Sequence, residues 1–176
     1  MSEFLSKLSS YNIFNYLFPG VLFAAIGNEI TSYSFIQKDI VIGVFVYYFV
    51  GMVVSRIGSL VIEPVLKWVG VVKFAPYNDF VSASQVDEKI ELLSEVNNSY
   101  RTLISLFTCL LALKLFEIIS NYINVGSTLF LLTVITLLLW LFIHSYRKQS
   151  NYITQRISRI TNTADDTKEI NNKEGG

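Results

Sequence analysis

Few side chains in this 176-residue chain are of a type that does covalent chemistry, and their spacing favours binding over catalysis. There is one histidine, His144, and one cysteine, Cys109. No Gly-rich phosphate loop, CxxC pair or HExxH motif occurs, and a nucleophile–base relay would have to be built on the lone imidazole. No catalytic residue, metal site or cofactor is therefore expected, and the chain does not read as an enzyme. His144 closes an apolar run, a place that suits an interfacial side chain.

The chemistry that is legible is recognition of negative charge. Lys148, Tyr152, Arg156 and Arg159 follow one helical stripe, with Arg147 adjacent. Basic residues with an interleaved tyrosine bind phosphates and stack bases. The same set just past a membrane span binds anionic lipid headgroups. These five are the candidate ligand-binding residues, and both ligand classes fit them. Arg56 forms a second feature, because an arginine in or beside a span is costly and is usually paired or functional. It can also snorkel to headgroups. Glu63, two helical turns on, and Glu95 are its candidate partners, so Arg56, Glu63 and Glu95 form a candidate gating or buried-charge set.

A third group is small or polar. Asn12 and Asn15 lie a turn apart, and unsatisfied amides in lipid are expensive. Gly51 and Ser55 belong to a stripe with Gly43, Gly58 and Ser59, and Ser105 and Thr108 continue it on a later helix. Such stripes let helices approach closely, or line a pore in an oligomer. Thr133 and Thr136 share a stripe and can bond back to their own helix.

The elements that carry these residues are set by composition. Hydrophobic residues make up 52% and charged residues 16%, with a mean hydropathy of +0.45. Soluble domains average about 25% charged. The apolar residues also cluster in long runs, which excludes a disordered chain or a disulfide scaffold and points to an integral membrane protein. Basic and acidic residues balance at 14 each, so no global field steers the chain to nucleic acid. The expected fold is all-α: a four-transmembrane-helix protein with helical cytoplasmic extensions. A span takes roughly 20 apolar residues. The spans are placed at about 11–28, 40–62, 101–119 and 125–144. Pro19-Gly20 would kink the first.

Lysine and arginine set the orientation. Four spans put twelve of them on one side and only Lys38 and Lys114 on the other. Both termini and the 63–100 segment are then cytoplasmic. Within that segment Pro64 to Val69 predicts a short surface helix stopped by Gly70, and residues 71–84 read as irregular. Ser84 to Asp87 resembles a capping box, so a long helix is predicted from about 84 through the third span. Residues 145–160 read as a cytoplasmic helix, and 161–176 as a polar, disordered tail.

Several stretches together resemble a known type of protein. They are Tyr-Asn-Ile-Phe-Asn-Tyr-Leu-Phe-Pro-Gly at 11–20, Ser55 to Pro64, Lys73 to Tyr77, and Glu95 to Arg101. They resemble small membrane proteins of bacterial anti-phage defence loci, the Hailong membrane effector first and the Kiwa membrane subunit second. The first resemblance implies a tetrameric channel controlled by a nucleic-acid-like signal from a companion nucleotidyltransferase. The second implies a sensor that partners a soluble, DNA-binding defence protein. Neither supplies a binding motif position by position. The function expected is an oligomeric ion channel, a homotetramer in contact with membrane lipid and gated by a cytoplasmic nucleotide or nucleic-acid-like signal. The alternative is a non-conducting sensor or anchor that recruits a soluble partner.

Overall fold

Long apolar runs with few breakers give helices, and among the described residues there are no strands. The computed structural model describes residues 13–122 and 127–174, with most side chains as far as Thr161; Asn12 lies outside them. A π-turn, Ile13–Leu17, leads directly into α1, Phe18–Ile30. Pro19 falls in the first turn of α1, where its missing N–H costs little. The helix therefore runs on through Gly20, and the irregularity lies in the wide turn just before it. Thr31 ends α1, its N–H and hydroxyl both donating to Gly27 O.

Asp39 starts α2, Ile40–Ile57: its carboxylate accepts from the amides of Val41 (2.8 Å) and Ile42 (3.0 Å). α1 and α2 form an antiparallel hairpin whose backbones touch. A Cβ on Gly20 would lie 1.7 Å from Tyr47 O, and one on Gly51 would lie 1.7 Å from Tyr16 O. Only glycine permits this approach, the close packing that small residues allow between membrane helices.

A second π-turn, Gly58–Ile62, joins α2 to α3, Glu63–Trp68, in one continuous helical stretch. The Glu63 amide reaches back five residues to Gly58 O, the bond that defines the wide turn. Pro64 stands in the first turn of α3 and Gly70, at φ +80°, follows its end.

The 71–84 region differs from its expected irregular path. It contains α4, Tyr77–Val86, started by Pro76 in an extended conformation. The long helix α5 begins at Lys89 and runs to Tyr122, 34 residues or roughly 51 Å. Its start is set by Asp87, whose carboxylate accepts from Lys89 N at 2.9 Å. Ser84 instead returns its hydroxyl to Val81 O, so the cap lies three residues later than the capping-box pattern suggests. The last helix, α6, runs over Ser127–Glu174. The expected disordered tail is helical to Glu174, since neither proline nor glycine interrupts the chain from Ser127 to Lys173.

Val54, Leu106 and Leu110 form the core, covered by Leu22, Phe23, Ile26 and Val50 from α1 and α2. α6 leans on this three-helix unit through Leu141, the Phe49–Phe142 ring contact and the stacked Phe116–Phe130 pair. Three stretches, Ile40–Trp68, Lys89–Tyr122 and Phe130–Thr161, are long and apolar enough to cross a membrane. Their outward faces carry large apolar side chains such as Phe45, Leu111, Leu131 and Leu137. A water-soluble monomer rarely exposes so much.

Candidate anion-binding site

One end of the bundle concentrates charge around a single carboxylate. Glu63, at the start of α3, is only 8% exposed. Its Oε2 lies 2.7 Å from Arg101 Nη1 of α5. Its Oε1 accepts from Lys67 Nζ at 2.8 Å and lies 3.8 Å from Lys148 Nζ of α6. Lys148 also donates to the carbonyl (2.9 Å) and hydroxyl (2.8 Å) of Ser59. That carbonyl is open to a side chain because the Glu63 amide turns to Gly58 O and Pro64, five residues on, carries no N–H. One buried anion thus ties three helical segments together.

The cations outnumber it. Arg56, two residues before the π-turn, is half-buried, and its guanidinium donates to Tyr16 Oη at 3.5 Å. No carboxylate pairs with Arg56 among the described residues. Arg56 and Lys148 line a cavity of about 30 Å³ together with Ser59, Leu60, Ser145, Gln149 and Tyr152. Two buried donors here have no hydrogen-bond partner among the described residues: Arg101 Nε and Ser145 Oγ. Burying such a group without a partner costs roughly 1–3 kcal/mol.

The residues singled out in the sequence divide between this junction and other places. Lys148 and Tyr152 line the cavity. Tyr152 also stacks on Tyr77 of α4, with centroids 5.6 Å apart. Arg159 is engaged with α4 as well, donating to Asn78 O at 2.7 Å and to Ser82 Oγ. Arg147 and Arg156 are exposed and do not line the cavity. Glu63 faces Arg101, Lys67 and Lys148 instead of Arg56, because the π-turn inserts a residue between them and rotates Glu63 to another face by roughly 100°. Glu95 is exposed on α5 and pairs with no arginine in the described structure; its carbonyl accepts from Ser99 Oγ.

Some of the small and polar residues hold helices together within one chain, and others face outward. Asn15 is buried and lies 3.5 Å from Ser99 Oγ. Ser55 accepts from Thr102 Oγ1 at 3.4 Å, and Ser105 Oγ donates to Val54 O at 2.7 Å. Gly51 makes the backbone contact with α1. Thr108 and Thr136, on exposed faces, bond to the carbonyls of Ile104 and Leu132, and Thr133 is exposed too. His144 Nδ1 lies 2.9 Å from Trp140 O.

Ser59, Arg101, Ser145 and Gln149 enter the site without having been singled out for it. Ser145 and Gln149 were legible, since they fall on the stripe of Lys148 and Tyr152 at spacings of three and four. Arg101 was not, because its partner lies 38 residues away. At the opposite end, buried Glu117 accepts from Ser32 N (2.6 Å) and pairs with Lys114 (2.8 Å), fixing the α1–α2 loop. Among the described residues no cluster of metal-ligating side chains occurs. No protein family, curated protein or solved structure matches this chain.

Proposed function

We propose that this chain is a four-span protein of the bacterial inner membrane, with both termini cytoplasmic, that acts as a ligand-gated membrane effector. The observation that carries the reading is the shared carboxylate: Lys148 of α6 and Arg101 of α5 meet on buried Glu63, beside a cavity with unmatched positive charge. α6 is otherwise the least buried of the three long apolar helices. An anion entering the cavity competes with Glu63 for Lys148 and so biases how α6 sits on the bundle. A ligand shifts such an equilibrium only by its differential affinity for the two arrangements.

The fourth span is the run Ile13–Ile30, roughly 27 Å long, which lies against α2. The twelve-to-two distribution of lysine and arginine supports the orientation. The exposed apolar faces support contact with lipid and with further copies, a homotetramer being the favoured assembly. The proposed output is an ion path through that assembly, triggered in anti-phage defence by a nucleotide or nucleic-acid-like signal, in line with the sequence resemblance. Reconstitution in liposomes tests this: ion flux should change when extract from signal-producing cells is added.

A second reading has its own observation. Beyond the bundle α6 continues with Ile153, Ile157 and Ile160 exposed at 52%, 59% and 64% on one side. That stripe suits a sensor or anchor that recruits a soluble partner. Folded, oligomeric protein without flux under either condition selects this reading.

A further inference from the structure

We propose that the cavity between α2 and α6 binds a phosphate group, held by Arg56, Lys148 and Ser145. The inference rests on the reading of this junction as ligand-responsive and names the ligand's chemistry.

Three observations converge. First, the charge is unbalanced: Lys67, Arg101 and Lys148 share one carboxylate, and Arg56, which lines the cavity with Lys148, has no acidic partner among the described residues. Second, Ser145 is only 8% exposed, lines the cavity, and has an Oγ without a partner among the described residues. A helical hydroxyl that has no other partner can return to the carbonyl four residues back. Thr136, Thr154 and Thr161 on the same helix all do so. Ser145 stands apart from them, three residues before Lys148 on the wall of a cavity that Arg56 lines from α2. Third, the cavity measures about 30 Å³. One water needs roughly 10–15 Å³ on this measure, so the space admits a small oxyanion and leaves the rest of its molecule outside.

The guanidinium of Arg56 on α2 meets an ammonium and a hydroxyl set three residues apart on α6, so donors converge on the cavity from two helices. That suits a tetrahedral group with several acceptor oxygens better than a planar carboxylate. Arginine and lysine give phosphate its strongest hydrogen bonds. The group has two sources, an anionic lipid headgroup or a soluble phosphate compound, and the test separates them.

The full chain is purified into phosphatidylcholine nanodiscs. One arm measures selective retention of phosphatidylglycerol by native mass spectrometry; the other titrates pyrophosphate by calorimetry. Arg56→Gln should weaken binding about tenfold and Ser145→Ala about threefold, while Arg147→Gln leaves it unchanged. This order with phosphatidylglycerol identifies a lipid source, and the same order with pyrophosphate identifies a soluble one; either supports the site. Equal binding by wild type, Arg56→Gln and Ser145→Ala overturns it. So does an equal loss in Arg147→Gln, which would mean unspecific attraction to a basic surface. If Arg56→Gln does not fold, Ser145→Ala decides, because Ser145 Oγ supports no bond in the described fold. Phosphate binding without ion flux keeps the site and removes the effector reading; extract-dependent flux with none of these binding losses does the reverse.

Discussion

Glu63 is the residue on which the account turns. It satisfies three cations from three directions, so replacing it leaves partly buried positive charges facing one another. Glu63→Gln should cost about 2 kcal/mol of stability, read as a lowered thermal midpoint in detergent. The value stays below that of a fully buried pair because Lys67 and Lys148 are partly exposed. Lys148→Gln in the same background should recover part of the loss, since it removes one of the uncompensated charges. Losses that simply add would separate Lys148 from Glu63 energetically. The importance of Glu63 was legible in the sequence as an acid beside the end of a span. Its partners were not: periodicity pairs it with Arg56, and only the π-turn at Gly58–Ile62 undoes that phase. A wide turn has no dependable sequence signature.

At the scale of elements, the α1–α2 hairpin is the rigid part and α6 the loosely held one. Gly20 and Gly51 interlock so closely that a methyl group on either would overlap backbone oxygen. Gly51→Ala should therefore destabilise the protein by about 2 kcal/mol or more, although alanine favours an isolated helix by roughly 1 kcal/mol. Gly43→Ala is the control: its nearest neighbour is the Tyr47 ring at 3.3 Å, with no opposing backbone. A larger loss at Gly43 than at Gly51 would refute the hairpin contact. The long helices were readable from apolar runs and the end of α3 from Gly70, whereas α4 fell in a stretch that reads as irregular. The break at Asp87 was displaced from Ser84 because a capping pattern offers several polar residues and only geometry selects one. The helix beyond Thr161 was unread because composition measures polarity, whereas continuation depends on the absence of breakers.

For the whole molecule, the proposed topology places Lys38 outside the cell and Lys173 inside. In a Cys109→Ser background, Lys38→Cys should react with a membrane-impermeant maleimide in intact cells, and Lys173→Cys only after permeabilisation. Labelling of both in intact cells would leave an even number of crossings between them and contradict the topology, and labelling of Lys7→Cys in intact cells would put the two ends of the chain on opposite sides and reduce the spans to three. The membrane character was plain from composition, since long apolar runs and 16% charge leave little alternative. Which outward face meets lipid and which meets another copy cannot be read from hydropathy, because both surfaces are apolar.

The central claim is that an anion acting at the Glu63–Lys148 junction controls the membrane function. The most direct measurement is ion flux in liposomes with wild-type protein and with Lys148→Gln, before and after addition of extract from signal-producing cells. The extract should change flux through wild type and leave flux through folded Lys148→Gln at a constant level. An equal response in the two proteins, or no flux from folded wild-type oligomers in any condition, would contradict it.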